Sequence, residues 1–153
     1  MTMENIMLKI KGSTITSDGV TEDKEELLEF MTEGTLQQRG GLVRISYPET
    51  ELSGMEGCTT SLIITDGKVL MKRQQKDSAL SGTEMEFEKG KRFNGLYETP
   101  YGSMGMEILT NEIVRKNKAE TQIPESLSID YSISLAGKTE WRQRLDIEIL
   151  KNN

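Results

Sequence analysis

Leu127-Ser128-Ile129-Asp130-Tyr131-Ser132-Ile133-Ser134-Leu135 alternates apolar and polar residues without a break. Successive side chains of an extended strand point to opposite faces, so this period of two predicts a strand with one face buried and one in water. The turn residues Ala136-Gly137-Lys138 follow, and Trp141, Leu145, Ile147 and Ile149 then resume the pattern against Arg142, Arg144, Asp146 and Glu148. A C-terminal antiparallel hairpin is the expected result.

The same reading extends toward the N-terminus. Cys58–Thr65 and Lys68–Gln74 flank Asp66-Gly67, a pair suited to a type I′ turn. Glu25–Arg39 and Leu42–Tyr47 flank Gly40-Gly41, with Gly34 expected to mark a bulge or sharp bend. Ile6, Leu8 and Ile10 share one parity, as do Met104, Met106 and Ile108. Thr21–Met31 begins like a capped helix but runs on into Glu33-Gly34 with no helical stop, so it is read as a strand. Met7, Met31, Met71, Met85, Met104 and Met106 fall within such runs and are expected to fill gaps in a core. The sum is an all-β chain of about eight to ten antiparallel strands with little or no helix. Closure into one barrel hides the edges of so large a sheet.

A chain of 153 residues has the length of one domain, which buries roughly 68 to 70% of its unfolded surface. With no linker, repeat or low-complexity tract, residues 1–153 are read as one barrel domain. The 19 basic and 25 acidic residues leave a net charge of −6, which argues against a nucleic-acid partner. Apolar runs such as Leu62-Ile63-Ile64 are too short to span a bilayer as a helix, and the N-terminus lacks a basic start and apolar stretch, so no membrane is expected. The one cysteine, Cys58, forms no internal disulfide, and a reduced cytoplasmic setting fits. Cys58 itself reads as a small buried strand residue.

Histidine is absent, which removes Ser-His and Cys-His nucleophile pairs and histidine-ligated metals. Two segments nevertheless look specialised: Tyr47-Pro48-Glu49-Thr50-Glu51-Leu52-Ser53-Gly54-Met55-Glu56-Gly57 and Tyr97-Glu98-Thr99-Pro100-Tyr101-Gly102. If both lie at one barrel mouth, Glu49, Glu51, Glu56 and Glu98 could meet there, as paired acids for hydrolysis or, in the plainer reading, as a solvated rim. Tyr97 and Tyr101 share a parity and either pack the barrel end or offer hydroxyls to a ligand. Arg92 follows Lys89 and Lys91, and an inward guanidinium would need Glu49, Glu51 or Glu98 as partner, although a solvated basic strand accounts for it too. Lys72-Arg73 and Lys76, without aromatic interleaving, read as a solvated hairpin end. No metal and no cofactor is implied, and the glycines fit turns better than phosphate loops.

The two segments, with Phe87-Glu88-Lys89-Gly90-Lys91-Arg92 between them, resemble the YwiB-like family of small bacterial proteins over nearly the whole chain. Pro48 stands where a second acidic residue is expected in relatives, and Cys58 where a threonine is. The resemblance implies a calycin-like, lipocalin-type barrel and transfers no catalytic residue. The expected function is a non-enzymatic binding module for a small polar or amphipathic molecule at the barrel mouth. Candidate ligand-binding residues are Tyr47, Glu49, Thr50, Glu51, Glu56, Arg92, Tyr97, Glu98, Thr99 and Tyr101. The alternative is a filled barrel acting as a protein-interaction or homodimeric scaffold, with monomer and homodimer both open.

Overall fold

Ten strands account for most of the described chain, and in this computed structural model the described residues are 2–49, 57–75, 82–99, 102–138 and 140–150. The strands are β1 (Thr2–Ser17), β2 (Glu22–Arg39), β3 (Leu42–Pro48), β4 (Cys58–Thr65), β5 (Lys68–Gln75), β6 (Thr83–Glu88), β7 (Arg92–Thr99), β8 (Gly102–Asn117), β9 (Pro124–Leu135) and β10 (Trp141–Leu150). No helix occurs among the described residues. All pair antiparallel in the order β6-β5-β4-β3-β2-β1-β10-β9-β8-β7. Only the β1–β10 pairing departs from simple neighbour-to-neighbour hairpins, because β1 takes β10 as its second partner.

Curling this sheet brings its two edges, β6 and β7, together into a nearly closed barrel. The seam is stitched by Glu98 N–H donating to Thr83 Oγ1 at 3.2 Å. At the other end Gly90 N–H donates to Thr110 O at 2.9 Å. Inside, the Phe87 ring on β6 meets Tyr131 on β9, with centroids 5.0 Å apart and planes tilted 60°. Aromatic pairs favour this tilted arrangement, which sets the positive edge of one ring toward the negative face of the other.

Alternation decides the core. Ile6, Leu8 and Ile10 of β1, Val43, Ile45 and Tyr47 of β3, Leu62 and Ile64 of β4, and Leu127, Ile129 and Ile133 of β9 are all buried. Burying such a side chain fully contributes about 1.5–3 kcal/mol relative to leaving it in water. Three methionines depart from the expected filling role: Met31 and Met104 face solvent and Met7 is half-buried on the parity opposite Ile6 and Leu8, whereas Met71, Met85 and Met106 are buried.

Of the two roles expected for Gly34, a bulge or a sharp bend, the register excludes the bulge. The β1–β2 ladder runs through Ile6↔Gly34 unbroken, and its register shift lies at Gly12/Ser13, where Leu27 of β2 is the extra residue. What Gly34 provides is room, since a Cβ there would sit 2.6 Å from Ser46 O and 3.3 Å from Tyr47 Cβ. The β2–β3 ladder starts only one residue later, at Thr35↔Ser46. The Asp66-Gly67 turn also differs from the type I′ expectation, because only Gly67 (φ 74°) adopts left-handed backbone and Asp66 does not. Ala136 (φ 54°) and Gly137 (φ 69°) do so at both positions in the C-terminal hairpin.

Candidate functional site

The antiparallel order puts the β1–β2, β3–β4, β5–β6, β7–β8 and β9–β10 connections at one end of the barrel. Beneath them lies a cavity of about 570 Å³. Odd-numbered residues point inward along β3, so the alternation that buries Val43 and Ile45 carries Tyr47 and then Glu49 into this cavity. On β5 the sequence Val69, Met71, Arg73 does the same for a cation, and on β7 Tyr97 faces in. The opposing wall, from β1, β2, β9 and β10, is mostly hydrocarbon: Leu28, Phe30, Ile133 and Leu145 among others.

Glu49 is the chemical centre of the polar wall. Its side chain is 2% exposed, and its Oε1 accepts from the Thr60 hydroxyl at 2.6 Å. Its own N–H donates to Cys58 O at 2.9 Å. Arg73 Nε stands 3.8 Å from the same Oε1, an ion pair too long for a hydrogen bond, and that buried nitrogen makes none. A charge is tolerated in such a place only with a partner and hydrogen bonds, which Arg73 and Thr60 supply. Burial holds the Tyr47 hydroxyl well above the usual phenol range, with Glu49 adding to the rise and Arg73 opposing it. Burial raises Tyr131 as well, again against Arg73. Both phenols therefore serve as neutral hydrogen-bonding groups, and Tyr131 donates to Gln143 Oε1 at 3.1 Å.

Of the residues singled out in the sequence, Tyr47, Glu49 and Tyr97 converge on the cavity. Glu98 does not join them: it has the opposite parity, and its Oε2 accepts from Ser103 Oγ at 2.8 Å on the outside. Arg92 is a correction. It starts β7 at the far end of the barrel, is 59% exposed and pairs with Glu107 on the outer wall. Thr99 closes β7, with its side chain outside the described residues, as are Thr50, Glu51, Glu56, Tyr101 and Lys76. Cys58 is half-buried rather than buried.

The residue that sequence reasoning passed over is Arg73. Grouped with Lys72 it resembles a solvated pair, but the Val69–Met71 parity that buries β5 points Arg73 inward while Lys72 pairs with Glu84 in solvent. Gly82 helps to place it. With φ 75°, its α-carbon passes so near β5 that a Cβ would lie 2.1 Å from Arg73 O, and only glycine fits that position.

Among the described residues, no three Asp, Glu or Cys side chains gather as metal ligands. A search of curated proteins gave no match. The chain is similar in fold to the ywiB protein from Bacillus subtilis, whose crystal structure superposes with a TM-score of 0.66 at 20% identity over 97% of this chain and 94% of that one. The family model described as Domain of unknown function (DUF1934) matches residues 8–147, and the chain belongs to that family.

Proposed function

We propose that the protein is a binding module whose barrel holds one small amphipathic molecule at the end where the two specialised segments meet the wall. The observation that carries this is the two-sided cavity: a Glu49–Arg73 pair, its carboxylate buried, with Tyr47 and Tyr97 on one wall, and mostly hydrocarbon on the other. Its volume of about 570 Å³ falls within the range of ligand pockets, roughly 300–1,000 Å³. Barrels of this size, including those of lipocalin type, either fill with side chains or hold one ligand.

Two comparisons within the molecule support the reading. The far end has a hollow of about 620 Å³, larger than the first, but its arginine is already engaged. Arg115 donates to Asn117 Oδ1 at 2.8 Å, to Thr65 O at 3.5 Å and to Gln122 O. Hydrolysis by paired acids draws no support from the cavity, since Glu49 is the only carboxylate lining it among the described residues, and that chemistry needs two.

A thermal-shift panel of small polar and amphipathic molecules tests the proposal, with Leu28→Trp as the cavity-filling control. A ligand at a hundred times its Kd adds about 2.7 kcal/mol, which for a domain of this length raises Tm by roughly 5–10 °C. The expected result is such a shift for at least one class of compound and its loss in Leu28→Trp. An unresponsive protein, or a filled variant that responds equally, contradicts it.

A further inference from the structure

The polar wall of the cavity holds one buried donor, Arg73 Nε, that makes no hydrogen bond. Thr60 and the Cys58 carbonyl hold Glu49 in place, so Glu49 attracts Arg73 by charge without using its N–H groups. A guanidinium presents five donors in a planar fork. Arg73 Nε, although buried, makes no hydrogen bond, and no described group accepts from the rest of the fork. Buried donors left in this state are costly unless something occupies the site. Tyr97 stands on the same lining and adds a hydroxyl. Opposite lies a wall that is mostly hydrocarbon, with Gln143 and the Asp146-paired Arg144 among its polar members, and it continues to the rim, where Leu27 and Trp141 are 56% and 45% exposed. Leu27 reaches this rim because it is the extra residue of the β2 bulge.

These features select the head group. A cation would face Arg73. A dianion would bring two charges beside the carboxylate of Glu49, and a neutral group would forgo the charge-assisted bonds that an arginine fork makes best with a planar carboxylate. Resting on the binding reading above, we propose that the ligand is an amphipathic monocarboxylate. Its head lies against Arg73, and its apolar body runs along the β1–β2–β10–β9 wall toward Leu27 and Trp141.

Trp141 is the only tryptophan in the chain and lines the cavity, so its emission reports occupancy. Decanoate, 1-decanol and decylamine, each kept below its micelle-forming concentration, share one body and differ only in the head. Decanoate is expected to bind at one per chain and most tightly, and decylamine most weakly. Arg73→Gln is expected to weaken decanoate by roughly 10- to 100-fold while leaving decanol nearly unchanged. Removing Arg73 alone leaves Glu49 buried without its cation, so the double variant Glu49→Gln, Arg73→Gln is measured beside it and is expected to lose the preference for decanoate as well. Equal affinity for the three heads overturns the carboxylate assignment while leaving the cavity as a binding site. Binding of none of them overturns the assignment too, and the thermal-shift panel then decides separately whether the cavity binds anything.

Discussion

Thr60 is fully buried and gives its hydroxyl proton to a carboxylate that is itself sealed from water. Replacing it with the isosteric valine keeps the packing and strips Glu49 of the 2.6 Å bond from the Thr60 hydroxyl. The expected cost is about 1.5–3 kcal/mol, the range for a hydrogen bond to a charged group, read as a lower urea midpoint with an unchanged slope. At this scale the sequence was legible in part. Tyr47, Glu49 and Tyr97 stand out by composition, and parity alone points them inward. Arg92 and Arg73 reverse the expectation because proximity to the specialised segment favoured Arg92, whereas strand parity favours Arg73. The even-numbered Arg92 continues the outer face of β7 and finds Glu107, its cross-strand neighbour's flank on β8. Which carboxylate answers a buried cation depends on strands far apart in sequence, and no local pattern encodes it.

Among the elements, β2 shows how much of a strand is set by its neighbours. Gly34→Ala would drive a methyl group into Ser46 O, 2.6 Å away and part of the backbone. Overpacking of this kind costs about 1–3 kcal/mol, and here it also pushes Tyr47 and Glu49 out of line, so reduced stability and reduced ligand response should appear together in one thermal-shift series. A bulge or a sharp bend is expected at Gly34, but the bulge of this ladder lies at Leu27; a glycine inside a strand signals a bulge, a bend or a close approach, and the sequence does not distinguish them. On the β9–β10 hairpin, Asp130 takes a forked pair of bonds from Arg142, with Nε at 3.0 Å and Nη2 at 2.7 Å. Arg142, followed by Asn111, holds the Asp130 carboxyl below its ordinary value of 3.8. A depressed folded-state value means that the unfolded chain binds the proton first, so the stabilisation is full above that ordinary value and is lost as pH falls through the lower folded one. Asp130→Asn is expected to cost about 1 kcal/mol at neutral pH and to flatten the acid limb of a stability–pH curve measured by urea midpoints.

For the whole molecule, the nine-residue alternation from Leu127 to Leu135 and its repeats were enough to read an all-β antiparallel barrel, because period two is a local property. Closure was not local. It rests on the Thr83–Glu98 and Gly90–Thr110 bonds across the seam and on the Phe87–Tyr131 contact inside it. The cavity is likewise a property of the closed sheet: it exists where the inward row changes from Val43 and Ile45 to Tyr47 and Glu49, and where Val69 and Met71 give way to Arg73. That a molecule sits there is the central claim, and native mass spectrometry of the protein purified without denaturation from its own cells tests it most directly. The account predicts a small-molecule adduct at one per chain, retained by the wild type and missing from Leu28→Trp. Wild-type protein that arrives bare from its own cells, or an adduct retained equally by the filled variant, would contradict it.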